Sequence, residues 1–296
     1  MSGRMHADEI DIGVDLVRRL LGAQFPEWGG LHIEPFPSAG TVNALYRLGD
    51  KMAVRLPRLE SGVADVEKEH YWLPRLAPLL PVPIPLPLGK GTPTADYPWP
   101  WSVFRWLDGE NPTEGQLINP DALATDLAEF VTAVRRIDLP DGPAAYRGGP
   151  LTLLDGSTRT SIGQLAGLVD TDAVTAAWDS AMRVPDWDGP PVWLHADLMP
   201  GNLLTLDGRL SAVIDFGTLG VGDPACDLIP AWNLLPAGAR EIFRAALQVD
   251  DATWARGRGR ALSMALIQLP YYQHTNPVMA NNARYVIQEV LADRAE

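Results

Sequence analysis

Between Val192 and Asp227 the chain reads VWLHADLMPGNLLTLDGRLSAVIDFGTLGVGDPACD, and this stretch constrains the fold more than any other. Two short apolar runs flank Asp207-Gly208, a dipeptide suited to tight hairpins because it tolerates the positive φ such turns require. A hairpin there brings Asn202 and Asp215 near one another and sets Asp197 at the mouth of the same loop. Three oxygen-bearing side chains then converge. An amide oxygen and a carboxylate are the donors Mg²⁺ takes when it keeps waters and phosphate oxygens as its other ligands. The remaining aspartate is free to orient a hydroxyl proton.

The rest of the chain divides by pattern. Ile10, Val14, Val17, Leu20 and Leu21 recur at helical spacing and predict a helix over 9–23. Residues 41–48 and 52–56 alternate around Gly49-Asp50-Lys51 and predict a hairpin. Residues 65–76 follow as a helix that Pro74 should end or kink. Prolines 81, 83, 85 and 87 exclude a central strand and favour an extended edge. Residues 101–107 are β-branched and aromatic enough for a strand, which Asp108-Gly109 ends. Helical patterns then occupy 120–138, 161–183, 238–249 and 257–292. The expected fold is α+β and two-lobed: a small β-rich lobe with a leading helix over 1–107, and a larger, mainly helical lobe over 108–296.

Composition narrows the functional classes. The 296 residues include 24 Lys and Arg against 37 Asp and Glu, a net charge of −13, the wrong sign for holding nucleic acid through its phosphates. Lys51, Lys68 and Lys90 are the only lysines, so any mechanism needing one has three candidates. The single cysteine, Cys226, cannot form an internal bridge, and its run of neighbours suggests a small buried residue. The sequence shows neither an apolar stretch of membrane-spanning length nor a secretory leader, which makes a cytoplasmic location the expectation. No nucleic acid, membrane or obligate protein partner is expected. No histidine or cysteine spacing suits zinc, and G-x-S-x-G does not occur.

HADLMPGN followed by IDFG resembles the HxDxxxxN and DxG signatures of the aminoglycoside phosphotransferase family, small-molecule kinases built like protein kinases. Gly222-Asp223-Pro224-Ala225-x-Asp227 resembles a run typical of the antibiotic kinases, and there is no A-P-E segment of the protein-kinase kind. The likeness covers roughly residues 35 to 235. It implies a protein-kinase-like fold whose β-rich lobe binds the nucleotide, with ATP or GTP and Mg²⁺ as cofactors. Asp197 would orient or accept the hydroxyl proton and Asn202 and Asp215 would hold Mg²⁺, while His195, Asp223 and Asp227 would support the loop.

The resemblance carries further residues. Ser38, Gly40 and Asn43 stand where the family places its nucleotide-positioning loop. MAVR at 52–55 stands where kinases carry V-A-I-K, so Ala53 and Arg55 would face the nucleotide, with Glu69, and Glu67 second, pairing the cation. Arginine for lysine is a departure, because the guanidinium fork presents its hydrogen bonds differently from an ammonium. Lys51, the competitor, lies roughly 13 Å away along an extended strand, at the turn. Phe104 and Trp106 would wall or support the adenine slot, and the backbone of Arg105 and Leu107 would bond the base. A second departure is Ala196, where the family usually has glycine; its methyl is tolerated with right-handed backbone and strained at positive φ.

For the acceptor, the late segment offers Trp232, Asn233, Tyr271, Tyr272, His274, Asn276 and Glu289. This is a polar and aromatic set with modest negative charge, able to hold a hydroxylated ligand, cationic or not. The readings are an O-phosphotransferase acting on an aminoglycoside or related antibiotic, a metabolic kinase for an amino alcohol or sugar, and an inactive nucleotide-binding regulator.

Overall fold

The structure is a computed structural model that describes residues 10–37 and 42–293. Its elements run in chain order as α1 (Val14–Gln24), β1 (Ile33–Pro35), β2 (Asn43–Leu48), β3 (Met52–Pro57), α2 (Val63–Leu76), β4 (Pro87–Gly91) and β5 (Trp101–Arg105). There follow α3 (Pro120–Arg135), α4 (Asp155–Gln164), α5 (Thr171–Met182), β6 (Val192–Leu194), β7 (Leu203–Leu206), β8 (Arg209–Val213) and β9 (Gly220–Gly222). Four helices close the chain: α6 (Pro230–Asn233), α7 (Ala237–Leu247), α8 (Asp251–Tyr272) and α9 (Pro277–Ala292). Two compact units result. One comprises the chain up to residue 79 with 83–108 and 212–217, and the other comprises 80–82, 109–211 and 218 onward. The tail of the β7–β8 hairpin, 212–217, thus belongs with the first unit, whereas a single cut at residue 107 puts it in the second.

The first unit is an antiparallel sheet of order β1-β2-β3-β5-β4. The β2–β3 hairpin closes with Leu48 opposite Met52, and Gly49 takes φ 55° in the loop, where a side chain would be strained. The proline-rich run ends in β4 on the sheet's edge, where missing N–H groups cost no ladder bond. Leu16, Val17, Leu20 and Leu21 of α1 bury against Tyr46, Leu48, Val54, Leu56, Trp101 and Val103 of one sheet face. Residues 10–13, expected to be helical, precede that helix in non-helical form, and the Ile10 N–H donates to the Arg58 carbonyl. Pro74 sits inside the last turn of α2, which ends two residues later.

The second unit is mainly helical, and its helix starts are written locally. Asn119, Asp170, Asp250 and Asn276 each accept a backbone N–H at the start of α3, α5, α8 and α9, and Pro120 and Pro277 take first-turn positions where no N–H is needed. These caps explain two differences from the periodicity. The run 161–183 breaks at Gly167, φ 81°, before Asp170 starts α5, and the run 257–292 breaks where Asn276 and Pro277 start α9. Asp207 and Gly208 take φ 50° and 77° between β7 and β8, as a tight Asp-Gly hairpin requires.

Candidate active site

In the first unit, β3 and β5 pair with Arg55 opposite Ser102 and Ala53 opposite Phe104, and the period-two alternation puts Ala53 and Arg55 on one face. Helix α2 supplies the partner there. Arg55 Nη1 donates to Glu69 Oε1 at 3.0 Å, and Nη2 lies 3.8 Å from Asp215 Oδ1. Glu69 is 1 % exposed, and its Oε2 has no hydrogen-bond partner among the described residues. Burial pushes the Glu69 carboxyl up to about 7, against the pull of Arg55 and with added repulsion from Asp215. Burial opposes the Arg55 charge too, yet Glu69 and Asp215 outweigh it and raise its pKa. Lys51 is exposed at the hairpin turn, and its carbonyl accepts the Trp106 N–H.

Lys68, which the sequence reading left without a role, meets the Asp-Phe-Gly segment. Its ammonium donates to the Gly217 carbonyl and pairs with Asp65 at 3.2 Å. A Cβ on Gly217 would stand 2.9 Å from Asp65 Oδ2, so the motif's glycine permits that close approach. Asp215 has φ 62°, a strained conformation that aims a half-exposed carboxylate.

The adenine-slot assignments are partly revised. Phe104 is buried beneath the Arg55 guanidinium, 5.8 Å from ring centroid to Cζ. Trp106 meets the Phe36 ring edge-on and lies under Arg47. The Arg105 N–H already donates to the Leu86 carbonyl because β5 pairs inward, so that amide is not free for a base; Leu107 follows half-buried. Asn43 opens β2 opposite Pro57, while Ser38 and Gly40 lie outside the described residues.

In the second unit, the loop from His195 to Asn202 joins β6 to β7 and is held from beneath by Asp227. The Asp227 carboxylate accepts the His195 N–H at 2.8 Å and the Ala196 N–H at 2.7 Å. Burial raises the Asp227 pKa, while His195, those two amides and Arg135 pull it back. This grip fixes Ala196 at φ 65°, so the methyl stands in the strained region where glycine fits without cost. His195 is fully buried: its Nδ1 accepts the Asp197 N–H at 3.2 Å and its carbonyl accepts the Thr218 hydroxyl at 2.9 Å. Asp223 works by a different route from Asp227. It caps the turn at 224–228 and takes Arg256 at 3.0 Å and Arg260 at 3.1 Å, touching no residue of the loop through these bonds.

Asn202 Nδ2 donates to the Asp197 carbonyl at 2.8 Å and to Asp197 Oδ2 at 3.1 Å. With its nitrogen so engaged, the amide presents its oxygen elsewhere, which is the orientation a cation ligand needs. Asn202 in this unit supplies an amide oxygen and Asp215 in the first unit a half-exposed carboxylate, each of a donor type that Mg²⁺ accepts. Asp197 Oδ1 accepts from Arg147, a residue that sequence reasoning missed because nothing in YRGGP at 146–150 marks it out.

The acceptor assignments fare unevenly. Trp232 is fully buried, with Nε1 donating to Asp293 Oδ2 at 2.9 Å, and Asn276 is the cap of α9. Glu289 and Asp293 both pair with Arg240, itself buried. These three are therefore engaged in holding the helices together. Asn233 is 2 % exposed, and its Nδ2 reaches the Leu198 carbonyl, next to Asp197. Tyr271 and His274 are exposed and Tyr272 half-buried at the end of α8.

An antiparallel five-stranded unit with an arginine–glutamate pair and a helical unit with an Asp197–Asn202 loop are the two parts of a kinase-like fold. The chain belongs to the phosphotransferase enzyme family, whose sequence profile matches residues 32–262. Over 92 residues it is 32 % identical to an aminoglycoside 3'-phosphotransferase of Escherichia coli, a match that spans 28 % of this chain and 32 % of that protein. Its fold is shared with the GDP and kanamycin complex of APH(2")-IIia, at TM-score 0.75 and 20 % identity over 94 % of this chain and 99 % of that one. A macrolide 2'-phosphotransferase of Brachybacterium faecium superposes at TM-score 0.62 and 19 % identity over 94 % and 97 % of the two chains.

Proposed function

We propose that this chain transfers the γ-phosphoryl group of ATP or GTP to a hydroxyl of a small molecule of the antibiotic type, aminoglycosides being the first candidates. The observation that carries the reading is the fixed Asp197 carboxylate, held by Asn202 on one oxygen and Arg147 on the other at the end of a loop clamped by Asp227. Asp197 orients the acceptor hydroxyl and takes its proton as the oxygen attacks phosphorus. Arg55, kept charged and steered by Glu69, steadies the nucleotide phosphates. Asn202 and Asp215 are the residues that would hold Mg²⁺, which when bound would supply charge neutralisation for the transferring phosphoryl group. The names of the matched relatives, which include aminoglycoside and macrolide phosphotransferases and a GDP complex, support the acceptor and nucleotide classes.

Among the described residues no helix is long and apolar enough to cross a membrane. Cys226 is buried, its thiol pushed up to about 12 by that burial, and such an inert thiol suits a cytoplasmic setting. The test is nucleotide consumption with Mg²⁺ across a panel of aminoglycosides, macrolides and amino alcohols, with mass spectrometry for the added phosphate. Asp197→Ala should abolish transfer and leave nucleotide binding intact. Transfer at the wild-type rate in that variant removes Asp197 from the chemistry.

A further inference from the structure

Arg147 sets a fixed positive charge against Asp197. Its side chain is 29 % exposed, and its Nη1 donates to Asp197 Oδ1 and, at 3.4 Å, to the Ala196 carbonyl. The backbone that presents it is built to do so. Around it, Ala145 N–H donates to the Val221 carbonyl, Tyr146 N–H to the Thr218 carbonyl and Asp223 N–H to the Gly148 carbonyl. The Arg147 carbonyl is held by Arg260 Nη1 at 2.7 Å and by the Cys226 thiol at 3.3 Å. A Cβ at Gly222 would stand 2.6 Å from the Gly148 Cα, so the glycine that opens the Gly-Asp-Pro run is what lets this segment lie so close. Asp223, through Arg260, thus anchors Arg147 and not the catalytic loop itself.

The second observation concerns charge. Recognition of a polycation needs carboxylates free to face it, and Glu289 and Asp293 are paired with Arg240, with Arg258 a further 3.8 Å from Asp293. At the reacting position itself the fixed charge beside Asp197 is a guanidinium. Next to it the Tyr146 ring, 5.6 Å from the Arg147 Cζ, is 80 % exposed and offers a neutral flat surface.

We propose that Arg147 is a positioning and specificity-determining residue. It holds Asp197 Oδ1, so that Oδ2 faces the acceptor, and its charge selects hydroxyls remote from ammonium groups. The acceptor presents a neutral, hydroxylated face at Tyr146, and an ammonium group beside the reacting hydroxyl is disfavoured by like-charge repulsion. This rests on the phosphotransferase reading, and the experiment separates the two.

The intrinsic Mg²⁺-dependent hydrolysis of ATP and GTP and the transfer to kanamycin and to its fully N-acetylated form are measured for wild type, Arg147→Ala and Arg147→Lys. Thermal melting and nucleotide binding confirm that each variant is folded. Arg147→Ala should lower kcat for hydrolysis roughly 10²-fold, the scale of a misplaced catalytic group, with the nucleotide KM unchanged. Arg147→Lys should recover part of that loss. Wild type should favour the N-acetylated acceptor, and Arg147→Ala should move the preference toward kanamycin by about tenfold or more. Unchanged or faster turnover in folded Arg147→Ala, or an unmoved acceptor preference, overturns the proposal while leaving the phosphotransferase reading intact. A wild-type chain that neither hydrolyses nucleotide nor phosphorylates either acceptor overturns that reading and the role of Arg147 with it.

Discussion

Replacing Arg55 by methionine isolates what the Arg55–Glu69 pair does to the fold. Glu69 is 1 % exposed and Arg55 14 %, so the variant leaves a buried carboxylate with no countercharge beside it. Removing one partner of a buried pair that stays charged costs about 3–5 kcal/mol, and protonation of the remaining carboxyl caps that cost. The pH dependence gives the argument its sign. In the wild type the folded carboxyl sits at about 7 against an ordinary 4.5, so its contribution to stability is full below pH 4.5 and is lost as pH rises to about 7. At about 1.4 kcal/mol per pH unit, that window is worth about 3 kcal/mol.

Without Arg55 the attraction that opposes burial is gone, the folded pKa climbs above 7, and the decline continues into the alkaline range. Urea unfolding at pH 5 and pH 8 reads this directly. Arg55→Met should lose about 2–2.5 kcal/mol at pH 8, about 1 kcal/mol for the lost hydrogen bond and about 1.4 kcal/mol for the pH unit above 7 over which only the variant still declines. At pH 5, where Glu69 is protonated in either protein, the loss should shrink to about 1 kcal/mol for a lost hydrogen bond. Adding Glu69→Gln should restore most of the loss at pH 8. A loss below about 1 kcal/mol that is equal at both pH values would refute the reasoning, because the pair would then be no better than a surface contact.

Two further outcomes follow from the catalytic loop. Ala196→Gly should raise stability by up to about 1 kcal/mol, because relief of the φ 65° strain exceeds the added chain entropy of glycine, and the melting temperature would show it. Asp227→Ala should leave the His195 and Ala196 amides buried and unpaired, costing about 1–3 kcal/mol for each, with loss of transfer activity ahead of loss of nucleotide binding.

Local chemistry wrote much of this protein. The Asp207-Gly208 turn, the edge position of the proline-rich run and the start of the helix at residue 120 follow from residues whose backbone preferences need no tertiary help. The spacing of Asp197 and Asn202 is likewise legible, because a five-residue step along one loop limits where such groups stand, and the Asn202 amide does reach Asp197.

Other features depended on packing between segments far apart in the chain. Glu69 is separated from Glu67 as the partner of Arg55 only by the face of α2 that meets the sheet; Glu67 pairs with Lys90 instead. The Arg105 amide could not be known to be engaged until the path of the Leu86 carbonyl was fixed. Asp223 and Asp227 stand four residues apart in one acidic run, yet one grips arginines of α8 and the other the loop at His195. Arg147 had no signal at all in the sequence. Its charge reaches Asp197 through a backbone path fixed by Gly222, Arg260 and β9, and only the tertiary structure brings those together.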